Sequence, residues 1–335
     1  MVTPFLQLSY PIPTPKNPDS FPDSRYYGTG PLDLCFMITL MAAMAVLRDV
    51  FRIYLFEPFA HWKLKRDLDA RWAEKRRRAA SANGTLNGHA NGHASSYSKE
   101  EKHMKRSVLR FAEQGWSAIY YIWQFAFGLY IHINLPTKFA DLSDLWTEYP
   151  HTTLAAPVKF FYLMEIACYM HQMLVLNAEA RRKDHWQMFT HHVITIFLML
   201  SSYYTNFTRI GCLIMVLMDW CDIWLPLAKM GRYLDIPHQI YDYAFAIFLV
   251  SWFITRHVLF LMVMWSTWSI DKIIELKWAP EEGHFLTMNF YWAFNGALAA
   301  LQVLQCIWFY IVMRIAFRVV FHGETASDDR SDEEE

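Results

Sequence analysis

Two adjacent histidines, His191 and His192, stand near one end of an apolar run, and two aspartates, Asp219 and Asp222, stand near the far end of the next. If both runs are helices, His191 and Thr195 share a face at i, i+4, and Asp219 and Asp222 share one at i, i+3. The first helix enters the membrane on the side where the second leaves it, so both pairs lie roughly 6–10 Å from the same end. Ionisable groups at that depth are costly and point by default to function. A carboxylate beside an imidazole fixes its tautomer and orientation, which is what a general base requires. His–Asp pairs also lock helices together by hydrogen bonds. That plainer use suffices for a single histidine; a histidine pair matched by a carboxylate pair favours acid–base chemistry.

A second polar set is scattered through other apolar runs. It comprises Arg256 and His257; Glu165, His171 and Gln172; and Asn295, Gln302 and Gln305. These residues either line the polar part of an internal cavity or make interhelical hydrogen bonds. Arg181, Arg182 and Lys183 precede the histidines by about two to three helical turns. They suit contact with a polyanion as well as they suit ordinary loop charge.

The elements that must hold these groups are membrane helices. The chain has 335 residues, 54% hydrophobic and 19% charged, with 25 Phe and 14 Trp. Polar residues crowd into 1–30, 61–110 and 323–335, which excludes a disordered or disulfide-stapled chain. A spanning helix needs about 20 mostly apolar residues. Seven segments qualify: 32–58, 112–132, 155–176, 187–205, 207–228, 240–265 and 286–319; a short helix near 139–147 would be an eighth element. The fold class is therefore an all-α polytopic membrane protein. Basic residues concentrate in the loops at 61–80, 178–186 and 229–239 and after the last span. The positive-inside rule puts these in the cytosol, the N-terminus in the lumen and the C-terminus in the cytosol. Residues 1–31 form a lumenal segment and 32–60 the first span. Residues 61–106 read as a linker, basic and then low in complexity, with a flexible stretch at 79–104. Residues 107–320 form the main domain. Residues 321–335 form an acidic tail in which Ser327 and Ser331 sit among acids. The five cysteines lie in apolar runs with no CxxC spacing, so neither a metal site nor a disulfide is expected.

The block from Arg182 to Lys229 resembles the signature motif of the ceramide synthases, the longevity-assurance family of TLC-domain membrane proteins. The matching residues are Arg182-Lys183-Asp184, His191-His192-x-x-Thr195, Ser201-Ser202-Tyr203, Arg209-x-Gly211, Met218-Asp219-x-x-Asp222 and Lys229. Flanking matches are Phe111-Ala112-Glu113-Gln114-x-Trp116, Leu145-Trp146-x-x-Tyr149-Pro150-His151, Lys159-x-Phe161-Tyr162-Leu163 and Thr255-Arg256-His257. The likeness covers about 107–320. Met218-Asp219, where many animal members have His-Asp, resembles the fungal members.

The resemblance implies a fold and an activity. Six helices would form a barrel around a lipid tunnel. A fatty acyl-CoA would N-acylate a sphingoid base, dihydrosphingosine or phytosphingosine, to give ceramide in the endoplasmic reticulum membrane. Acyl-CoA is then a substrate, and no cofactor is expected. His191 and His192 would be catalytic: one takes up the acyl group or activates the amine, and the other holds the oxyanion or relays the proton. Asp219 and Asp222 would orient them. Arg181, Arg182, Lys183, Thr195, Tyr203, Arg209, Arg256, His257 and Asn295 would contact substrate. The family also implies homo- or heterodimers and, in fungi, a small single-span subunit; nucleic acid is not an expected partner. The main alternative is a TLC-domain protein that binds or moves lipid without acylating it. A seven-span receptor would need its polar chemistry at the other membrane face. A di-iron hydroxylase would need several HxxxH and HxxHH sets, which this chain lacks.

Overall fold

Backbone groups in hydrocarbon must bond within their own segment, so long apolar runs poor in glycine fold as helices. The computed structural model describes residues 2–82, 90–137, 141–178 and 183–322. It is about 79% helical with almost no sheet. The helices are α1 (Thr3–Leu6), α2 (Asp33–Phe51), α3 (Glu57–Ala82), α4 (Ala90–Asn134), α5 (Ala156–Ala178), α6 (His185–Tyr204), α7 (Thr208–Tyr233), α8 (His238–Trp252), α9 (Phe260–Trp268) and α10 (Met288–His322). π-type turns join α2 to α3 over Arg52–Phe56 and α8 to α9 over Phe253–Leu259. Helix therefore coincides with all seven expected spans. Among the described residues, four stretches are long and apolar enough to cross a membrane: Asp33–Arg78, Thr208–Tyr233, Gln239–Trp268 and Met288–Arg318. The helices over 112–132, 155–176 and 187–205 carry more polar side chains, which include the histidine pair. The expected short helix near 139–147 is a single 3-10 turn, Leu142–Leu145.

The chain divides into two units. The first comprises residues 1–45, 123–221 and 249–335. Its core is the face of α5, with Phe161, Tyr162, Leu163, Ile166 and Ala167 all inaccessible, packed with Tyr203 of α6 and Cys212 and Val216 of α7. The approach is close: a Cβ on Gly211 would fall 1.7 Å from the Tyr162 hydroxyl oxygen, so only glycine fits there.

The N-terminal segment is built into this unit. Its strands β1 (Pro11–Ile12) and β2 (Tyr26–Tyr27) pair antiparallel, and β2 pairs with β3 (Leu154–Ala155), just before α5. Lys159 of α5 is fully buried against Asp33, with Nζ 2.7 Å from Oδ1. Its ammonium also donates to the carbonyls of Ser9 (2.8 Å) and Gly28 (2.7 Å). The Tyr203 hydroxyl and the Gly30 N–H donate to the other Asp33 oxygen.

The loop before β3 is fastened by Arg209, only 3% exposed. Arg209 donates to the carbonyls of Asp144 and Thr147 and pairs with Asp19 and Glu148. His151 lies beside it, bonded to the Thr147 carbonyl at 3.0 Å. Burial, and then the Arg209 charge, push the His151 pKa from 6.5 down to about 4. Between those values the unfolded chain binds the proton that the folded chain refuses, so stability falls as pH drops through this window. Thermal unfolding followed from pH 7 to pH 4 is expected to show that loss, and a smaller slope in His151→Leu.

The second unit comprises residues 46–122 and 222–248. Here α3 and the first half of α4 form a hairpin. Ala60, Leu64, Leu68 and Trp72 repeat every fourth residue and pack on Met104, Val108 and Phe111. Polar edges close it: Trp72 Nε1 donates to Glu100 at 2.9 Å, Lys75 pairs with Glu100 at 3.1 Å, and Tyr97 donates to Asp69 at 2.8 Å. The stretch expected to be flexible, 79–104, falls partly in this hairpin. Residues 79–82 and 90–104 are helical, and 83–89 fall outside the described residues. The apolar residues of the hairpin recur at helical spacing within a polar background, and average composition hides that spacing.

Candidate functional site

Along α6 the 3.6-residue period sets His191 and Thr195 on one side, one turn apart. His192 is 4% exposed. The two imidazoles meet edge to face, with centroids 5.5 Å apart. His192 Nδ1 lies 2.7 Å from the Met188 carbonyl, so it carries the proton, and Nε2 keeps the lone pair. Gln172 of α5 places its Oε1 3.4 Å from that Nε2; both atoms are acceptors in this tautomer, so no hydrogen bond joins them. Tyr169, one turn earlier on α5, packs its ring against both histidines at 6.4 and 5.8 Å.

His191 is held differently. Its ring packs against Trp308 of α10, with centroids 5.2 Å apart, and its buried Nδ1 has no hydrogen-bond partner. Trp308 Nε1 and Thr195 Oγ1 are also buried without one.

The next turn of α10 ties in two more elements. Gln305 accepts from Arg256 Nη1 at 2.9 Å, and Arg256 Nη2 donates to the Met218 carbonyl of α7 at 3.0 Å. Met218 precedes Asp219, which is 1% exposed. The Arg256 guanidinium also lies 4.5 Å over the Trp252 ring. Arg256 sits in the π-type turn, where an extra residue per turn shifts side chains relative to a regular helix. Four helices and one π-type turn thus converge: α5, α6, α7, α10 and Phe253–Leu259. An imidazole with a nitrogen left open, beside N–H and O–H donors with nothing to bond, can accept a proton from a substrate and hold a developing negative charge.

The other sequence-predicted site residues lie as follows. His257 accepts from Gln302 Nε2 at 3.0 Å, which joins the π-type turn to α10. Asn295 accepts from the Thr267 hydroxyl at 2.6 Å and donates to the Tyr291 carbonyl, so its amide pins α10 to α9. Tyr203 and Arg209 were expected at the substrate; the structure commits Tyr203 to Asp33 and Arg209 to the 144–148 loop. Tyr203 is eleven residues beyond His192 on the same helix, about 16 Å at 1.5 Å per residue. Lys183 is exposed, and Arg181 and Arg182 lie outside the described residues. Asp222 is half-buried and belongs to the second unit. Pro226 stands inside α7 and removes the N–H that would bond the Asp222 carbonyl. Sequence reasoning missed Trp308 and Tyr169. Gln302, Gln305 and Trp308 follow one another at i, i+3, and that stripe would have pointed to the indole.

An apolar cavity of the second unit, about 710 Å³, has walls such as Phe56, Phe59, Phe111, Trp224 and Ile247. The phenols of Tyr241 and Tyr243 are its only acid–base groups, so it lacks the means for the chemistry suggested by the histidine pair.

Known proteins match this chain at two levels. The TLC domain model matches residues 110–314. The sphingosine N-acyltransferase lag1 of Schizosaccharomyces pombe is 32% identical over 341 residues, 99% of this chain and 73% of the relative. The ceramide synthase FUM18 of Gibberella moniliformis is 32% identical over 93% of this chain and 70% of its own. Human ceramide synthase 5 is 32% identical over 68% of this chain and 55% of its own. The domain match takes in every element that meets around His191, and the similarity to the lag1 protein runs nearly end to end; the chain belongs to the TLC-domain family, in its sphingosine N-acyltransferase (ceramide synthase) group.

Proposed function

We propose that this protein transfers a fatty acyl group from acyl-CoA to the amine of a sphingoid base, giving ceramide. The reading is supported by curated relatives named as sphingosine N-acyltransferases and ceramide synthases. The observation that carries it to named residues is His191, an imidazole with an unbonded buried nitrogen, packed on a second imidazole of fixed tautomer. The chemistry needs a base because a long-chain amine is protonated near neutral pH, and only its free form attacks a carbonyl. The ammonium proton goes to water, and His191 takes the proton that the free amine sheds as it attacks. His192, anchored on the Met188 carbonyl, holds His191 in position, and Asp219 orients the pair. Basic loops face the cytosol, where the CoA polyanion stays in water with Arg181, Arg182 and Lys183 at the entrance. The hydrocarbon chains lie in a tunnel between the helices. The protein resides in the endoplasmic reticulum membrane with its N-terminus in the lumen.

The test is acyl transfer in membranes from cells that lack their own ceramide synthases. Dihydrosphingosine or phytosphingosine is supplied with acyl-CoAs of different lengths, and ceramide is read by mass spectrometry. Ceramide above the vector control is expected. None from a well-folded chain, in membranes that retain any accessory subunit, would leave lipid binding or transport as the function.

A further inference from the structure

Three buried polar atoms around His191 have no bond to make in the folded protein: His191 Nδ1, Thr195 Oγ1 and Trp308 Nε1. Orphans of this kind are costly, and each needs a reason. Thr195 is the more telling. A hydroxyl inside a helix ordinarily folds back onto the carbonyl four residues earlier. Thr39, Ser117 and Thr255 of this chain do so. Thr195 does not, and the carbonyl it declines is that of His191. Trp308 is 4% exposed, and its N–H is spent on no carbonyl or side chain. An indole N–H is a donor only, so what it awaits is an acceptor. The indole is also the ring against which His191 packs. Two donors therefore neighbour one base, Thr195 one helical turn along α6 and Trp308 against its ring, and a negative oxygen beside that base would answer both.

We propose that the Thr195 hydroxyl and the Trp308 indole N–H are the oxyanion donors of the acyl transfer. This rests on the acyltransferase reading above. As the sphingoid amine forms its C–N bond to the thioester carbonyl carbon, the C=O electron pair moves onto oxygen, and His191 takes the amine proton. The two donors hold that oxygen. When the C=O bond re-forms, the C–S bond breaks, and the CoA thiolate leaves with the proton returned by His191. The donors meet full charge only in the transition state, so they act on kcat and not on substrate binding.

The test is steady-state acyl transfer by Thr195→Val, Thr195→Ser and Trp308→Phe in the full-length protein, with parent and His191→Ala alongside. Size-exclusion profiles and thermal unfolding in detergent establish folding. Thr195→Val keeps the shape of the side chain and loses the hydroxyl, and Trp308→Phe loses the N–H. Each is expected to lower kcat by about 10²–10³-fold with KM unchanged, and Thr195→Ser to recover most of the loss. Thr195→Val and Trp308→Phe each within about threefold of the parent, with His191→Ala inactive, would overturn the donor assignment and leave the acyltransferase reading standing. Equal losses in Thr195→Val and Thr195→Ser would overturn it too, since the hydroxyl would then not matter. An inactive parent would remove the acyltransferase reading and this assignment with it.

Discussion

Acyl transfer is expected to fall by about 10²–10⁴-fold in His191→Ala, the range that a positioned general base contributes. His192→Ala should fall comparably but for another reason. His192 spends Nδ1 on the Met188 carbonyl and meets Gln172 at Nε2; its removal opens space beside a ring 5.5 Å away and lets His191 turn. The two roles separate on a conservative substitution. An asparagine at 192 can still donate its amide N–H to Met188, so His192→Asn should regain part of the loss. An asparagine at 191 has no basic nitrogen, so His191→Asn should regain nothing. Groups that act as a unit lose their effect together, so the double alanine variant should be no slower than the worse single one. The measurement is ceramide formed per unit of folded protein, with quantity and folding checked for each variant. Activity of His191→Ala within tenfold of the parent would remove His191 from the chemistry.

Much of this site was legible because its logic is local. Helical spacing joins His191 to Thr195 without any tertiary information, and the fall of charge along the chain marks which runs are apolar. What the sequence hides are pairings between distant segments. Tyr203 and Arg209 sit within a motif that resembles the family's signature, and that resemblance implied substrate contact. Their partners are in the N-terminal segment and the 144–148 loop, at the far end of α6. A spacing rule tells which side of a helix a residue takes, not what covers that side. Asn295 is a similar case: its partner, Thr267, lies on another element. Trp308 passed unnoticed because the chain has 14 tryptophans, and most such rings in a membrane protein serve packing or the interface. Only the structure separates an indole that packs on an imidazole and buries an unbonded N–H from the rest. The hairpin of α3 and α4 shows the complementary failure. Its polar composition describes its surface, while its stability lies in the few residues that repeat every fourth position.

Lys159 and Asp33 carry the largest stability effect expected outside the active site. Both are inaccessible to solvent. Lys159→Met would leave the Asp33 carboxylate buried without its countercharge, and the Ser9 and Gly28 carbonyls without their donor. Breaking such a pair from one side costs about 3–5 kcal/mol, most of it the penalty for the abandoned charge. Asp33→Leu would strand the ammonium in the same way and also release Tyr203. Removing both charges removes that penalty, so Lys159→Met with Asp33→Leu should unfold at a higher temperature than either single variant. That non-additive gain identifies the pair as coupled. The consequence for structure is specific: with the β2–β3 pairing and the Asp19–Arg209 contact, the pair fastens residues 9–33 to α5 and α6. In the single variants this segment should become sensitive to added protease, while the rest of the chain holds. Catalysis should not follow, because the histidines sit about 16 Å further along α6. The protein that remains folded should acylate at close to the parent's rate. Single variants that unfold with the parent would mean that the buried charges are solvated by some other route. A matched loss of kcat in folded protein would mean that the N-terminal segment shapes the site itself, through the helix it shares with His191.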